Sequence, residues 1–219
     1  MADQPPTEDL VTIVGQLREH CPWMGALTHA SLVEYLLEEA YEVAEAIDDG
    51  HPDAELRGEL GDVLLQVVLH ARLAEERGAF TFDDVARGLG AKMIRRNPHV
   101  FKPDGSLQDS FPATVEEIEQ KWDAVKRAER PERVNAFEGI PDALPALAKA
   151  HKSLDRAARA GLGLPEGIPV PENEDELGNL LLAVVRSARD SGMDAERALR
   201  AAVRRYQSGQ ADQNHPAAS

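Results

Sequence analysis

Residues 59–73, ELGDVLLQVVLHARL, constrain the fold more than any other stretch. Wound as a helix at about 100° per residue, their apolar side chains occupy most of the circumference, so the helix must be covered on more than one side. The polar exceptions, Glu59, Asp62, Gln66 and His70, fall in one narrow stripe with i, i+3, i+4 spacing. Desolvating a carboxylate is costly, so burial of this stripe calls for a positive charge beside it.

The flanking sequence punctuates further helices. Thr28 or Ser31 is placed to cap a helix running to about Asp49, and DDGHPD supplies the Gly and Pro of a tight turn. Asp53 then caps the apolar helix, about 54 to 77, which Gly78 closes. Thr81 with Asp84 has the form of a capping box for a third helix, stopped near Arg96 by Asn97-Pro98. After the loop HVFKPDGSLQDSFP a fourth helix is expected from about Thr114 to Glu129.

Beyond RPERVNAFEGIPDALP the pattern gives helices at about 144–160, 174–190 and 194–207, with the Gly/Pro-rich GLGLPEGIPVPEN between the first two. No segment sustains the period-two alternation of a strand, so the chain reads as all-α. The expected organisation is an N-terminal extension (1–10), a first helical region (11–130), a linker (131–145), a second helical region (146–207) and a disordered tail (208–219).

A formal net charge of −15 over 219 residues argues against a nucleic-acid partner, which needs clustered cations. The single cysteine, Cys21, has no intramolecular disulfide partner. No apolar run approaches the roughly 18 residues of a membrane span, and MADQPPTEDL lacks a signal-peptide pattern. A cytoplasmic protein without membrane or nucleic-acid partners is the expectation.

The helix before the turn carries the remaining acids. In LVEYLLEEAYEVAEAI, residues Leu32, Leu36, Ala40, Val43, Ala44 and Ile47 share one face, with Glu38, Glu39 and Glu42 at or beside its border. If the two helices pack antiparallel across DDGHPD, EExxE and ExxD converge. Four or five oxygen donors without cysteine or a regular histidine pattern suit a hard cation, Mg²⁺ or Mn²⁺, and Mg²⁺ favours phosphate oxygens as further ligands. The implied substrate is a phosphate ester or anhydride. Lys92 and Arg96, i and i+4 in KMIRR, can face one phosphate site, with Arg95 as a further candidate. Gln66 and His70 read as hydrogen-bonding groups within the buried stripe rather than metal ligands.

EEAYE, ELGD, the upstream CPW and THASL, and the downstream KMIRRNPHVF together resemble the MazG family of the all-α NTP pyrophosphatase superfamily. The resemblance is dense from about Val11 to Glu129. It implies a MazG-like helical bundle with antiparallel carboxylate helices; the apolarity of residues 59–73 needs more cover than one hairpin provides, so completion by dimerisation, as a homodimer or higher homo-oligomer, is expected. The resemblance also implies Mg²⁺-dependent hydrolysis of a nucleoside triphosphate to monophosphate and pyrophosphate, in the clearing of noncanonical or oxidised nucleotides. Glu39, Glu42, Glu59 and Asp62 match the metal ligands, and Glu38 a further metal or water-orienting group. Lys92 and Arg96 match phosphate contacts, with Arg95 as a further candidate, while Trp122 and Lys126 match the nucleotide pocket. A related pyrophosphatase acting on dUTP or phosphoribosyl-ATP, or a weakly active regulatory module, would share the motif. One departure is MGAL, Met24 to Leu27, where relatives carry a polar run that could touch base or sugar.

ELGNLLLAVVRSAR, Glu176 to Arg189, nearly repeats Glu59 to Arg72, but Asn179 replaces the Asp and no EExxE precedes it. An amide offers a neutral oxygen only, so this second copy reads as structural.

Overall fold

The structure, a computed structural model, describes residues 5–111 and 135–213, together with residues 114, 118, 125 and 129. The helix expected over 114–129 lies almost wholly outside the described residues, and so do Trp122 and Lys126. The protein is helical. Among the described residues the only strand-like pairing is an isolated antiparallel bridge between Phe101 and Leu107. The chain divides into two compact units, residues 1–127 and 128–219.

The first unit contains α1 (Pro6–His20), α2 (Pro22–Ala26), α3 (Leu32–Asp48), α4 (Asp53–Glu76) and α5 (Phe82–Arg96). Both α1 and α2 begin with a proline, whose missing N–H costs nothing in the first turn of a helix. The α1 helix reaches back into the segment expected to be an N-terminal extension. Helices α3 and α4, separated by four residues, pack against each other, and α1 and α5 lie against α4. Their core is Val14, Met24, Leu27, Leu32, Val68 and Leu69.

Two caps differ from expectation. Thr28 and Ser31 do not cap α3 with their side chains; they bond each other, the Thr28 N–H donating to Ser31 Oγ at 2.9 Å and the Ser31 N–H to Thr28 Oγ1 at 3.1 Å. At α4 the cap position is Pro52, and Asp53 is the first helical residue, its charge favourable at the positive end of the helix dipole. The α5 cap is as expected: Thr81 accepts from the Asp84 N–H, while Asp84 accepts from the Thr81 N–H.

The approach of α1 and α2 to α4 is fastened by Arg18. Its guanidinium donates to both oxygens of Glu76, at 2.7 and 2.8 Å, and to the carbonyls of Met24 and Leu27. This pairing holds the Glu76 carboxyl below its usual pKa, mainly through the hydrogen bond.

The second unit contains α6 (Ala146–Arg159), α7 (Glu174–Asp190) and α8 (Ala195–Gln213), with a core of Phe137, Ile140 and Ala157. Lys149 is 1% exposed, its Nζ 2.6 Å from Asp142. The Glu196 carboxylate of α8 accepts the Ala146 N–H at the start of α6. Helix α8 runs to Gln213, into the tail expected to be disordered. SGQADQ holds one Gly and no Pro, so nothing in it stops a helix already formed.

Candidate metal centre

The α3–α4 hairpin brings the expected acids together. Glu39 and Glu42 lie three residues apart on α3, so they share a face. Glu59 stands near the start of α4, and carboxylate oxygens of all three lie within 4.8 Å of one another. Asp62, one turn further along α4, and Glu38 are near enough for their charges to act on Glu39.

Crowding leaves an electrostatic signature. The Glu39 carboxyl is pushed above its usual pKa, first by burial, then by a hydrogen bond shared with Glu42 and by the charges of Asp62, Glu42 and Glu38. Two carboxyl groups share a hydrogen bond only when one holds a proton. A divalent cation would relieve the same repulsion more completely. The donor set fits a hard ion, since it is all carboxylate oxygen.

Burial of the acids is less than the helical pattern implied. Glu39 and Glu59 are half-buried, while Glu38, Glu42 and Asp62 are exposed. Only Gln66 of the α4 polar stripe is fully buried. The near-uniform apolarity of α4 is also left partly uncovered, with Leu60 and Leu64 exposed. Partial burial of Glu39 and the convergence of like charges around it act together to favour a cation here.

Arg95 and Arg96 sit on the last turn of α5 and Lys92 one turn earlier, on a helix that packs against α4. Lys92 and Arg96 are half-buried and Arg95 is exposed; both arginines have interaction partners of their own. The MGAL segment contributes to packing: the Met24 and Leu27 side chains belong to the core and offer no polar group.

One contact could not be read from the sequence. His29, on the turn before α3, meets His70 of α4 with their Nδ1 atoms 2.8 Å apart. The ring planes differ by 10° and the centroids are 5.1 Å apart. Face-to-face rings cannot approach closer than roughly 3.5 Å, so the two imidazoles meet edge to edge through one N–H···N bond. Burial, and secondarily His29, lower the His70 pKa.

Residues 27–101 match the family described as the MazG nucleotide pyrophosphohydrolase domain. The chain is 39% identical over 221 residues to the nucleoside triphosphate pyrophosphohydrolase/pyrophosphatase MazG of Thermotoga maritima, covering 91% of this chain and 82% of that protein. The chain belongs to the MazG family. It is also 36% identical over 225 residues to the nucleoside triphosphate pyrophosphohydrolase of Escherichia coli, covering 90% and 83% of the two chains. A crystal structure of a MazG-related protein from Thermotoga maritima, 27% identical, superposes with a TM-score of 0.47 over 55% of this chain and 98% of that one.

Family membership sharpens the contrast between the two ELG helices. The family-model match, residues 27–101, lies in the first unit and includes the hairpin that carries the acids. Among the described residues no second group of three potential metal ligands gathers, and α7, which carries Glu176 and Asn179, has no buried residue.

Among the described residues no helix is long and apolar enough to cross a membrane.

Proposed function

We propose that the first unit hydrolyses nucleoside triphosphates to nucleoside monophosphate and pyrophosphate with Mg²⁺ held by Glu39, Glu42, Glu59 and Asp62. The observation that carries this reading is the meeting of three carboxylates from α3 and α4 within 4.8 Å, on the segment that matches the family. Relatives named as nucleoside triphosphate pyrophosphohydrolases support the reaction type.

Each group then has a task. When bound, the cation neutralises phosphate oxygens and lowers the pKa of coordinated water, so no protein nucleophile is required. Glu38, at the edge of the cluster, orients the attacking water and accepts its proton. Lys92 and Arg96, with Arg95 beside them, bind the β- and γ-phosphates; Trp122 and Lys126 complete the nucleotide pocket. Water attacks the α-phosphorus, the bond from that phosphorus to the bridging oxygen breaks, and pyrophosphate leaves. The cellular task is the removal of noncanonical or oxidised nucleotides, in the cytoplasm.

The protein acts as a homodimer or higher homo-oligomer. Val33, Leu37 and Tyr41 of α3 and Leu60 and Leu64 of α4 leave apolar surface exposed on the hairpin that bears the site, a surface suited to four-helix packing against a second copy.

Incubating the protein with Mg²⁺ and each ribo- and deoxynucleoside triphosphate, oxidised forms included, tests the reading. Pyrophosphate and monophosphate are the expected products; orthophosphate release would overturn it.

A further inference from the structure

Helix α7 carries an apolar band that no described residue of its unit buries. On a helical wheel Leu177, Leu180, Leu181, Leu182, Val184 and Val185 span roughly 200° of its circumference. Helix α8 packs on it, yet α7 has no buried residue, and Leu182, Val184 and Val185 are 67, 54 and 51% exposed. The matching face of α4 is treated differently: Val68 and Ala71, which correspond to Val185 and Ala188, are each 1% exposed. A band this wide and this open marks an interaction surface. We propose that its occupant is a second copy of this chain, packed α7 against α7 in antiparallel fashion.

The face is complementary to itself in shape. Leucines fill the N-terminal half of the band, whereas in the C-terminal half Ala183, Val184, Ser187, Ala188, Ser191 and Met193 line a groove of about 440 Å³. Leu177, Leu181, Val184 and Ala188 follow the 4-3-4 spacing of a helix–helix seam, and this order is unchanged when the helix is turned end for end. A two-fold axis between Leu182 and Ala183 sets Leu181 of each copy against Val184 of the other, and Leu177 against Ala188. Leu180 of each copy then lies over the small side chains of the other's groove, beside Ser187.

Charge gives the same orientation. The first turn of α7 holds Glu174, Asp175 and Glu176; the far end holds Arg186 and Arg189, with Asp190 its single acid, paired to Arg186. Acids first and bases last also suit the dipole of a lone helix, but the dipole does not require Glu174 and Arg189 to flank one edge of the apolar seam, as they do. Antiparallel packing brings each Glu174 beside Arg189 of the other copy, two equivalent pairs. Parallel packing would set three acids against three. The other exposed apolar face, on the α3–α4 hairpin, matches α7 less well, since α3 carries no Lys, Arg or His to meet the acidic end.

Cross-linking of the full chain tests this. Cys21→Ala removes the native thiol, and one cysteine is then introduced at an exposed position of α7. Leu181→Cys, or its seam counterpart Val184→Cys, puts the thiols of two copies near the two-fold axis, within reach of a short bismaleimide. Arg186→Cys puts them on the opposite side of the helix. Covalent dimer is expected at micromolar concentration from either seam position and little from Arg186→Cys. Adding Arg189→Glu or Glu174→Arg to Leu181→Cys turns both attractive pairs repulsive, so the protein concentration for half-maximal cross-linking should rise about 10-fold in each case. Mixing these two variants rebuilds both pairs and should bring the wild-type concentration back. Thermal melts check that every variant is folded. Absence of dimer from both seam positions, as when the first unit or a different protein covers α7, would overturn the proposal. So would equal dimer from Arg186→Cys, or a loss that mixing fails to restore. None of these readings depends on hydrolysis or on the α3–α4 surface, so failure here leaves the proposed function standing.

Discussion

Glu39 and Glu42 illustrate how the proposed site opposes the stability of its own fold. Burial, then their shared hydrogen bond and the charges of Asp62, Glu42 and Glu38, raise the Glu39 pKa, a state that a cation would relieve. Glu42→Gln exchanges a charged ligand for a neutral oxygen donor of equal size. Steady-state kinetics should show turnover reduced roughly 100-fold or more, because several kcal/mol of transition-state stabilisation depend on the held cation. Calorimetry should show a melting temperature equal to or above that of the wild type, since one like charge has gone. Activity within a few-fold of wild type would remove Glu42 from the site. His70 makes the opposite kind of residue-scale statement. Its folded pKa is depressed, so the unfolded chain takes up its proton first as pH falls. Stability is therefore fully present above the unfolded value, about 6.5, and is lost as pH falls from there through the folded pKa. Melting temperatures measured between pH 8 and pH 5.5 should decline more steeply for wild type than for His70→Asn, and equal slopes would contradict this. The acids were legible in the sequence because helical spacing alone puts Glu39 beside Glu42 and Glu59 beside Asp62. Their degree of exposure was not, since an apolar circumference says that α4 seeks cover and leaves open what supplies it. The His29–His70 bond was not legible either, as it joins a loop residue to a helix far along the chain.

At the scale of elements, the boundaries that could be read were those written in local chemistry. Thr81 and Asp84 bond each other's backbone whatever the rest of the chain does, and Gly50 and Gly78 take positive φ values of 65° and 69° where α3 and α4 end. Two helix ends lie within the segments expected to be an extension and a tail. Helix α1 begins at Pro6 within a polar, proline-rich stretch, and Arg18 fastens its far end to Glu76 and to the backbone of α2. No local signal at Pro6 foretells that clamp. Helix α8 likewise continues to Gln213 because nothing in SGQADQ breaks it. The two ELG helices show the limit of local similarity: α4 is packed on α3, while α7 follows a Gly/Pro-rich stretch with no helix of that kind before it. Asn179→Ala should therefore leave kcat and KM for every nucleotide within about 2-fold of wild type, since Asn179 is exposed on a helix with no buried residue. A large loss of activity would make α7 part of the chemistry.

For the whole molecule, the same hairpin is asked to do two things. Its acids gather around a candidate cation site, and its apolar residues Val33, Leu37, Tyr41, Leu60 and Leu64 remain exposed beside them. Exposed apolar residues on two packed helices are the raw material of an isologous four-helix interface. Light scattering should accordingly report a mass of at least two chains across the micromolar range, and a compact monomer would contradict it. The net charge of −15 is in keeping with a site that binds a polyphosphate through a cation and a few basic residues rather than through a positive surface. The proposed chemistry makes one demand that neither assembly nor substrate preference alters, namely where the attacking oxygen ends. Hydrolysis of a nucleoside triphosphate in water labelled with heavy oxygen, with the products analysed by mass spectrometry, measures it directly. Attack at the α-phosphorus puts the label in the nucleoside monophosphate and leaves pyrophosphate unlabelled. Label in pyrophosphate, or labelled orthophosphate released from the chain end, would contradict the assignment of the α3–α4 acids to pyrophosphohydrolysis.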